Sequence, residues 1–580
     1  MQQDKITKRN SELEVVASDS EKLSSSLADV IERFNLKKHA RVFDFLKSKG
    51  LAVSSLLNVL VMLPFWGITS IYAIVKSGIH GIDFQGKKDV YYDVKNNEFI
   101  NWRQLLLLHV KRFIYLINKD IHLKPNGTTA FIFDDTLIEK TGKKIEKVSV
   151  VNDHVSKRFI LGFKLLVCGF WDGGSFIPVD FSLHREKGSK QLELINEYHK
   201  ATKVLRKTRA IVVQKTKSLV DKQKRYNELV QLCKSKPTTT NQSNYKRAEK
   251  SYNKVRGQVK AISNELAVNQ KAQDKAKKAL AGYYKNNRLF GLTAKERNEQ
   301  FKKAVSTSSY GFKRRKEADR DKISCMLEML RRVVKMGIVA DYVLIDSWFF
   351  CSLVLEELSR IKKGAIKLVS MVKINNQVFT ICKTGKEMSV KVILQSHLKE
   401  ASTCKEFKAQ YIKVACWYSD IRTNLFFVRM GKCSKWHLIL TTDLELSFIK
   451  MMQVYQIRWS IEIFFKESKQ YLNLGGCQSM NFDAQIAHIT LSMLQHIMLS
   501  YCKIINYQLS LGGLFEKMKL EMIELNLVNR LLDIFWELIS KMCESAGIDF
   551  ILFQEDAMRD DEILSKFIKL VPEKVFDKAA

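Results

Sequence analysis

The sequence predicts an α/β chain built from several domains, with a mixed core interrupted by a basic helical insertion and a β-rich one. Three observations carry this. The 580 residues exceed what one hydrophobic core organises. Short apolar runs that end in acids, TAFIFDD (129–135) and DYVLIDS (341–347), read as strands set among helical patterns. Between them, segment 201–280 holds 21 Lys/Arg against 5 Asp/Glu, with almost no Gly or aromatic clustering, as in long solvated helices.

In chain order, residues 1–125 read as helical, because Leu27–Phe34, Val42–Leu46 and Trp102–Ile117 repeat apolar residues every three or four positions. Pro125-Asn126-Gly127 marks a turn. Residues 126–195 form the first part of the core, where FILGFKLLVCGFW and SFIPVDFSL flank Asp172-Gly173-Gly174, a hairpin signal. Residues 196–322 are expected as a basic insertion of two long helices folded back at PTTTNQSN (237–244). Residues 323–370 return to helix–strand–helix–strand. Residues 371–442 read as β-rich, in the runs QVFTICK, MSVKVIL, QYIKVACWY, LFFVRM and HLILTT. Residues 443–505 complete the core. Residues 506–580 are helical, and LVNRLLDIFWELISKM has a broad apolar face suited either to a second copy or to packing within the chain.

Charge narrows the function. There are 96 Lys+Arg against 61 Asp+Glu, a formal net charge of +35 and a pI near 9.6. Such an excess points to an anionic partner, nucleic acid first, because neutralising phosphates releases counterions. The competing partner is a membrane surface. The uncharged stretch 53–75 is long enough to span a bilayer, but Pro64 and Gly67 divide it, so two buried helices and no membrane are expected. The eleven cysteines contain no CxxC pair, which argues against a zinc module and fits free thiols in a reducing cytoplasm. No secretory leader is legible at the N-terminus.

The chemistry concentrates in YQIRWSIEIFFKESK (455–469). At about 100° per residue, Tyr455, Arg458, Glu462, Lys466 and Lys469 share one helical face, with Ile457, Ile461, Phe464 and Phe465 opposite. The plain reading is an amphipathic helix with i,i+4 ion pairs. The functional reading is a metal-binding acid ringed by cations that hold phosphates. Asp135 and Asp346 end strands in the same chain order that brings two strand-borne acids to a helix-borne Glu in an RNase H-like site; taken singly, each suits a turn or a helix cap equally well.

The spacing Y-(2)-R-(3)-E-(6)-K, met by Tyr455, Arg458, Glu462 and Lys469, resembles the YREK signature of cut-and-paste DDE transposases from bacterial insertion sequences. DDTLIEKTG (134–142) and LIDSWF (344–349) resemble the contexts of that family's first and second catalytic Asp, and KWHLILTT (435–442) the end of its β-rich insertion. The resemblance covers about 126–190 and 323–500. It implies an RNase H-like core, and Asp135 (the acid before Thr136, rather than Asp134), Asp346 and Glu462 as a triad holding two Mg²⁺, with Mn²⁺ as a substitute. It places Tyr455, Arg458, Lys466, Lys469 and Lys140 on DNA, and Trp436, or His437 in another register, as a stack for a flipped base; a core Trp is the plain alternative. The partners implied are double-stranded DNA (terminal inverted repeats and target) and a second copy of the chain. The location implied is the bacterial cytoplasm, at the nucleoid. The separation of 211 residues between the first two acids exceeds a bare core, and the basic insertion accounts for it. A two-metal nuclease or junction resolvase without strand transfer keeps the same acids, and a DNA-binding relic would lack one of them.

Overall fold

The computed structural model describes residues 30–553, apart from 48, 69, 74–85, 121–122, 124, 155, 187–188, 287–289, 432–434 and 506–508, with the side chains of 192, 521–533 and 537 also left out. Within these bounds the chain is a mixed α/β protein that divides into two compact units. One contains residues up to 147, 163–184 and those from 301 onward; the other contains 148–162 and 185–300.

The first unit is built on a sheet. Its strands are β1 (Ala130–Glu139), β3 from Phe163 to Trp171 (the whole strand is Arg158–Trp171), β4 (Phe176–His184), β5 (Tyr342–Ile345), β6 (Lys367–Val372), β7 (Val378–Ile381), β8 (Glu387–Ser389), β9 (Ser402–Cys404), β10 (Ala409–Tyr418), β11 (Ile421–Met430) and β12 (His437–Thr441). The path runs β3-β1-β5-β6-β12-β11-β10-β7-β8, with β4 on β3 and β9 on β10. β1, β5 and β6 are parallel, whereas β3–β4, β6–β12, β12–β11, β11–β10, β10–β9, β10–β7 and β7–β8 are antiparallel. Ala130–Phe133 and Tyr342–Ile345 are buried at every position, as expected of central strands covered on both faces.

The expected β3–β4 hairpin is present. Asp172 Oδ1 accepts from the Gly174 and Ser175 amides at 2.9 and 2.7 Å. Gly173 takes φ 109° and presses on Gly127, where a Cβ would lie 2.4 Å from the Gly173 carbonyl oxygen, so neither position has room for a side chain.

The helices of this unit are α1 (Val53–Met62), α2 (Lys88–Asn96), α3 (Trp102–Lys119), then after the second unit in the chain α6 (Tyr310–Ala318), α7 (Lys322–Lys335), α8 (Ser352–Arg360), α9 (Val390–Ser396), α10 (Phe448–Gln456), α11 (Ser460–Tyr471), α12 (Phe482–Ile505) and α13 (Leu511–Ala546); α3, α6, α7, α11 and α12 pack on β4. The uncharged stretch near residue 60 is split as expected, because α1 stops at a 3-10 turn (Leu63–Trp66) capped by left-handed Gly67. No helix among the described residues is long and apolar enough to cross a membrane. One expected strand is a helix. In MSVKVIL only Met388 and Ser389 belong to β8, and Val390–Ser396 coil into α9 with Val390 and Ile393 buried at helical spacing.

The basic region divides differently from the expectation. Residues 301–322 pack in the first unit, where α6 is fixed by two buried ion clusters. Asp180 on β4 is fully buried and meets Arg103 at 2.8 Å and Arg332 at 2.8 Å, and Arg103 also meets Glu317 at 2.8 Å. Burial alone would push the Asp180 carboxyl up, but the surrounding arginines hold it at about 2. Arg315 meets Glu146 and Asp483, each at 2.7 Å.

The second unit holds the first residues of β3 paired with β2 (Ser149–Asp153) and two helices, α4 (Ser189–Ser235) and α5 (Thr239–Asn286), of 47 and 48 residues. Each is about 70 Å long at the usual rise. They are packed side by side and reverse within residues 236–238, a tighter turn than the 237–244 loop expected. The covered positions of α4 follow a 3-4 spacing, Leu205, Thr208, Val212, Lys215, Leu219, Lys222, Tyr226, Leu229 and Cys233, and α5 answers with Tyr245, Ala248, Tyr252, Val255, Val259, Ile262 and Leu266. That is an antiparallel coiled coil. Its seam is laced with polar links, including Arg209 to Gln270 at 2.7 Å and Asn269 to Thr208 at 3.0 Å, and with Tyr226 stacked on Tyr252.

Removing one partner of a buried ion cluster strands the others without a counter-charge. Arg315→Met is therefore expected to lower stability by about 3–5 kcal/mol in urea denaturation, whereas Arg209→Met on the exposed hairpin stays within about 0.5 kcal/mol. Equal losses would show that Arg315 is not a structural clamp.

Candidate active site

The sheet brings two acids together by register. The parallel β1–β5 pairing ends at Phe133 and Ile345. One step on in that register come Asp134, still on β1, and Asp346, the first residue after β5; neighbouring strands lie about 4.8 Å apart, and aligned residues share a face. Asp346 acts electrostatically on both Asp134 and Tyr455. Its Oδ1 also accepts the Trp348 amide at 3.1 Å, and the Phe349 amide closes the turn on its carbonyl at 3.1 Å.

The third acid arrives on a helix. α10, a 3-10 turn (Ile457–Trp459) and α11 run consecutively, and the two faces read from the sequence are as expected. Ile461, Phe464 and Phe465 are buried, whereas Lys466 and Lys469 are exposed. Arg458 Nη2 donates to Glu462 at 2.7 Å and Nη1 to Asp134 at 3.0 Å. Lys469 Nζ donates to Thr136 Oγ1 at 2.7 Å. Asp134 and Thr136, two apart on β1, therefore face the helix together.

Asp135 points elsewhere. Strand alternation sends it to the other face, where Lys322 Nζ donates to it at 2.6 Å and Lys164 lies 3.9 Å away. The acid that shares a side with Asp346 and Glu462 is thus Asp134, not the Asp135 expected from the motif. β1 is buried on both faces up to Phe133, so its hydrophobic pattern gives no sign of which acid turns toward α11. The register with β5 is the signal that separates them.

Lys140 also departs from expectation. It is 3 % exposed, and its ammonium donates to the carbonyls of Gly475 and Cys477, both at 2.6 Å. Burial lowers its pKa to about 8. It ties the end of β1 to the turn after α11, and an ammonium so enclosed is not placed to meet a phosphate. Trp436 immediately precedes β12, which is antiparallel to β6, so it lies at the sheet edge where β5 and β6 end. β12 is two strands from β5, about 10 Å across the sheet. Arg429 covers one face of the Trp436 ring at 5.0 Å, and the residue is half-buried.

Electrostatics sharpen the picture. Burial, with Asp135 and Asp346 nearby, raises Asp134 to about 6 against the pull of Arg458. Burial raises Tyr455 to about 12, so its phenol stays protonated and suits hydrogen-bond donation better than nucleophilic attack. Among the described residues no three His, Cys, Asp or Glu side chains stand close enough to share an ion, and Arg458 occupies the space between Asp134 and Glu462. The donors themselves, three carboxylates, are of the kind that suits a hard divalent cation.

Residues 306–498 match the family model described as a transposase DDE domain. The match takes in Asp346 and Glu462 and begins, in chain order, after Asp134 and after residue 300. The matched segment is one part of the chain and leaves out the coiled coil, β1 and both terminal regions. No curated protein matches the chain.

Asp134 gives a testable pH dependence. Its folded value, about 6, lies above the ordinary carboxyl value of 3.8, so the folded chain binds more protons and loses stability as pH rises through that window. In chelator, Asp134→Asn is expected to equal wild type near pH 4 and to exceed it at pH 7 by roughly 3 kcal/mol, read from denaturation midpoints. A variant less stable than wild type at pH 7 would show that the Arg458 pair outweighs the burial.

Proposed function

We propose that this protein is a transposase that cuts DNA at the ends of an insertion sequence and joins the freed 3′-hydroxyls to target DNA. The observation that carries the reading is the register-enforced juxtaposition of Asp134 and Asp346, with Arg458 drawing Glu462 to the same face. The strand order β4-β3-β1-β5-β6, with β1, β5 and β6 parallel, supports an RNase H-like core. The β7–β12 region and the coiled coil are then insertions into it.

In this reading Asp134, Asp346 and Glu462 hold two Mg²⁺ ions, with Mn²⁺ as a substitute. The ions supply an activated water or 3′-hydroxyl and stabilisation of the leaving oxygen. The chain's own residues do the rest. Arg458 moves its guanidinium from the carboxylates to a backbone phosphate, which it can grip through two parallel hydrogen bonds. Lys466 and Lys469 line the same face and hold neighbouring phosphates. Tyr455 donates its phenolic proton to an oxygen of the strand. Trp436 stacks a displaced base at the sheet edge. Asp135 and Lys140 serve the framework instead. Two ends must be held together for joining, so a homodimer works on paired terminal repeats. Exposed Ile534, Phe535, Leu538 and Met542 on α13 supply an apolar face for the second copy. The setting is the bacterial cytoplasm, at the nucleoid.

The test is an excision and insertion assay on a marker flanked by the DNA that borders this gene, in Mg²⁺. Wild type is expected to yield joined products, and Glu462→Gln is expected to lower the yield by at least about a thousandfold, as loss of a group at the reacting centre does. Cutting without joining would make the protein a two-metal nuclease or junction resolvase. Equal yields from the two proteins would remove Glu462 from the site.

A further inference from the structure

Trp348 stands two residues beyond Asp346 with 48 % of its surface exposed, although an indole ordinarily buries most of its area. Its position is nonetheless fixed. Its amide is bound to the Asp346 carboxylate, and its ring meets Phe349 edge-on at 5.0 Å, with Phe349 itself 2 % exposed. The Lys322 ammonium lies 4.6 Å from the ring centroid and is anchored by Asp135 at 2.6 Å. The second member of the acid pair on β1, turned away from Glu462, thus holds a lysine against the indole. A large aromatic surface is kept rigid and in solvent, one tight turn from an acid of the candidate site.

We infer that Trp348 is a stacking platform for an unpaired nucleobase next to the phosphate that the acids engage, with Lys322 and Asp135 as its positioning residues. The inference rests on the reading of Asp134, Asp346 and Glu462 as a DNA-cutting site. An indole accepts any base, because every base has a π-face. A base inside a duplex has both faces covered by its neighbours, so the ligand is a base that is unpaired or drawn out of the stack. The pairing of Lys322 with Asp135 keeps its ammonium against the ring instead of extended into solvent.

The test uses the full chain in Ca²⁺ and a short duplex with an unpaired tail carrying 2-aminopurine, against the same duplex with the tail paired. For wild type the fluorescence of the unpaired 2-aminopurine is expected to be quenched on binding, with tighter binding of the tailed duplex. Trp348→Ala is expected to abolish the quench and weaken tail binding about tenfold, the scale of one lost stack, and Trp348→Phe to retain most of both. Asp135→Asn is expected to weaken tail binding while leaving the fully paired duplex unaffected, a split that a merely structural loss would not give. A quench in Trp348→Ala equal to wild type overturns the platform, as does a wild type that does not distinguish the two duplexes. Mg²⁺-dependent cutting by wild type and Glu462→Gln, measured on the same preparations, reports on the acid site separately. Failure of the platform beside acid-dependent cutting is thereby distinguished from failure of the site itself.

Discussion

The parallel pairing of β1 with β5 is the constraint from which the rest of the site follows. Parallel neighbours carry aligned side chains on one face at a fixed spacing, so pairing Phe133 with Ile345 leaves Asp134 and Asp346 facing each other. Two carboxylates in a half-buried setting repel, and the fold answers with a cation, Arg458, which bonds Asp134 and Glu462 at once. Asp134 is raised chiefly by its burial, with smaller contributions from Asp135 and Asp346, consistent with the tendency of functional sites to hold perturbed carboxylates.

The net charge of +35 covers two different populations of cations. Arg103, Arg314, Arg315 and Lys140 are largely enclosed in the first unit and bind carboxylates or carbonyls there. They hold α6, β4 and the end of β1 in place. Lys466 and much of the coiled coil face solvent. The first population is not available to phosphates, so the sequence charge overstates the DNA-facing charge. The enclosed arginines make the segment after residue 300 look like a continuation of the basic insertion, although it belongs to the sheet-bearing unit.

Much of the architecture was legible because it rests on local patterns. The β3–β4 hairpin follows from Asp172-Gly173-Gly174, the helical hairpin from its uninterrupted polar run, and the two faces of α11 from spacing alone. What was not legible depends on distant partners. The choice between Asp134 and Asp135 turns on a strand more than two hundred residues away. The burial of Lys140 depends on carbonyls at Gly475 and Cys477, which no local pattern announces. Met388–Val392 alternates apolar and polar residues like a strand and is too short for periodicity to separate the two conformations. Trp348 lies beside a recognisable acid, but its exposure emerges only once Phe349 and Lys322 are in place.

The central claim is that Asp134 joins Asp346 and Glu462 while Asp135 serves the opposite face. Direct titration of the full chain with Mn²⁺, followed by electron paramagnetic resonance of the free ion, tests it without DNA and without turnover. The account predicts that Asp134→Asn weakens binding by about tenfold or more, on the scale of a lost contact at a metal site, and that Asp135→Asn leaves the affinity close to wild type. Weak binding by Asp135→Asn, with Asp134→Asn unchanged, would contradict the account and return the site to the acid that precedes Thr136.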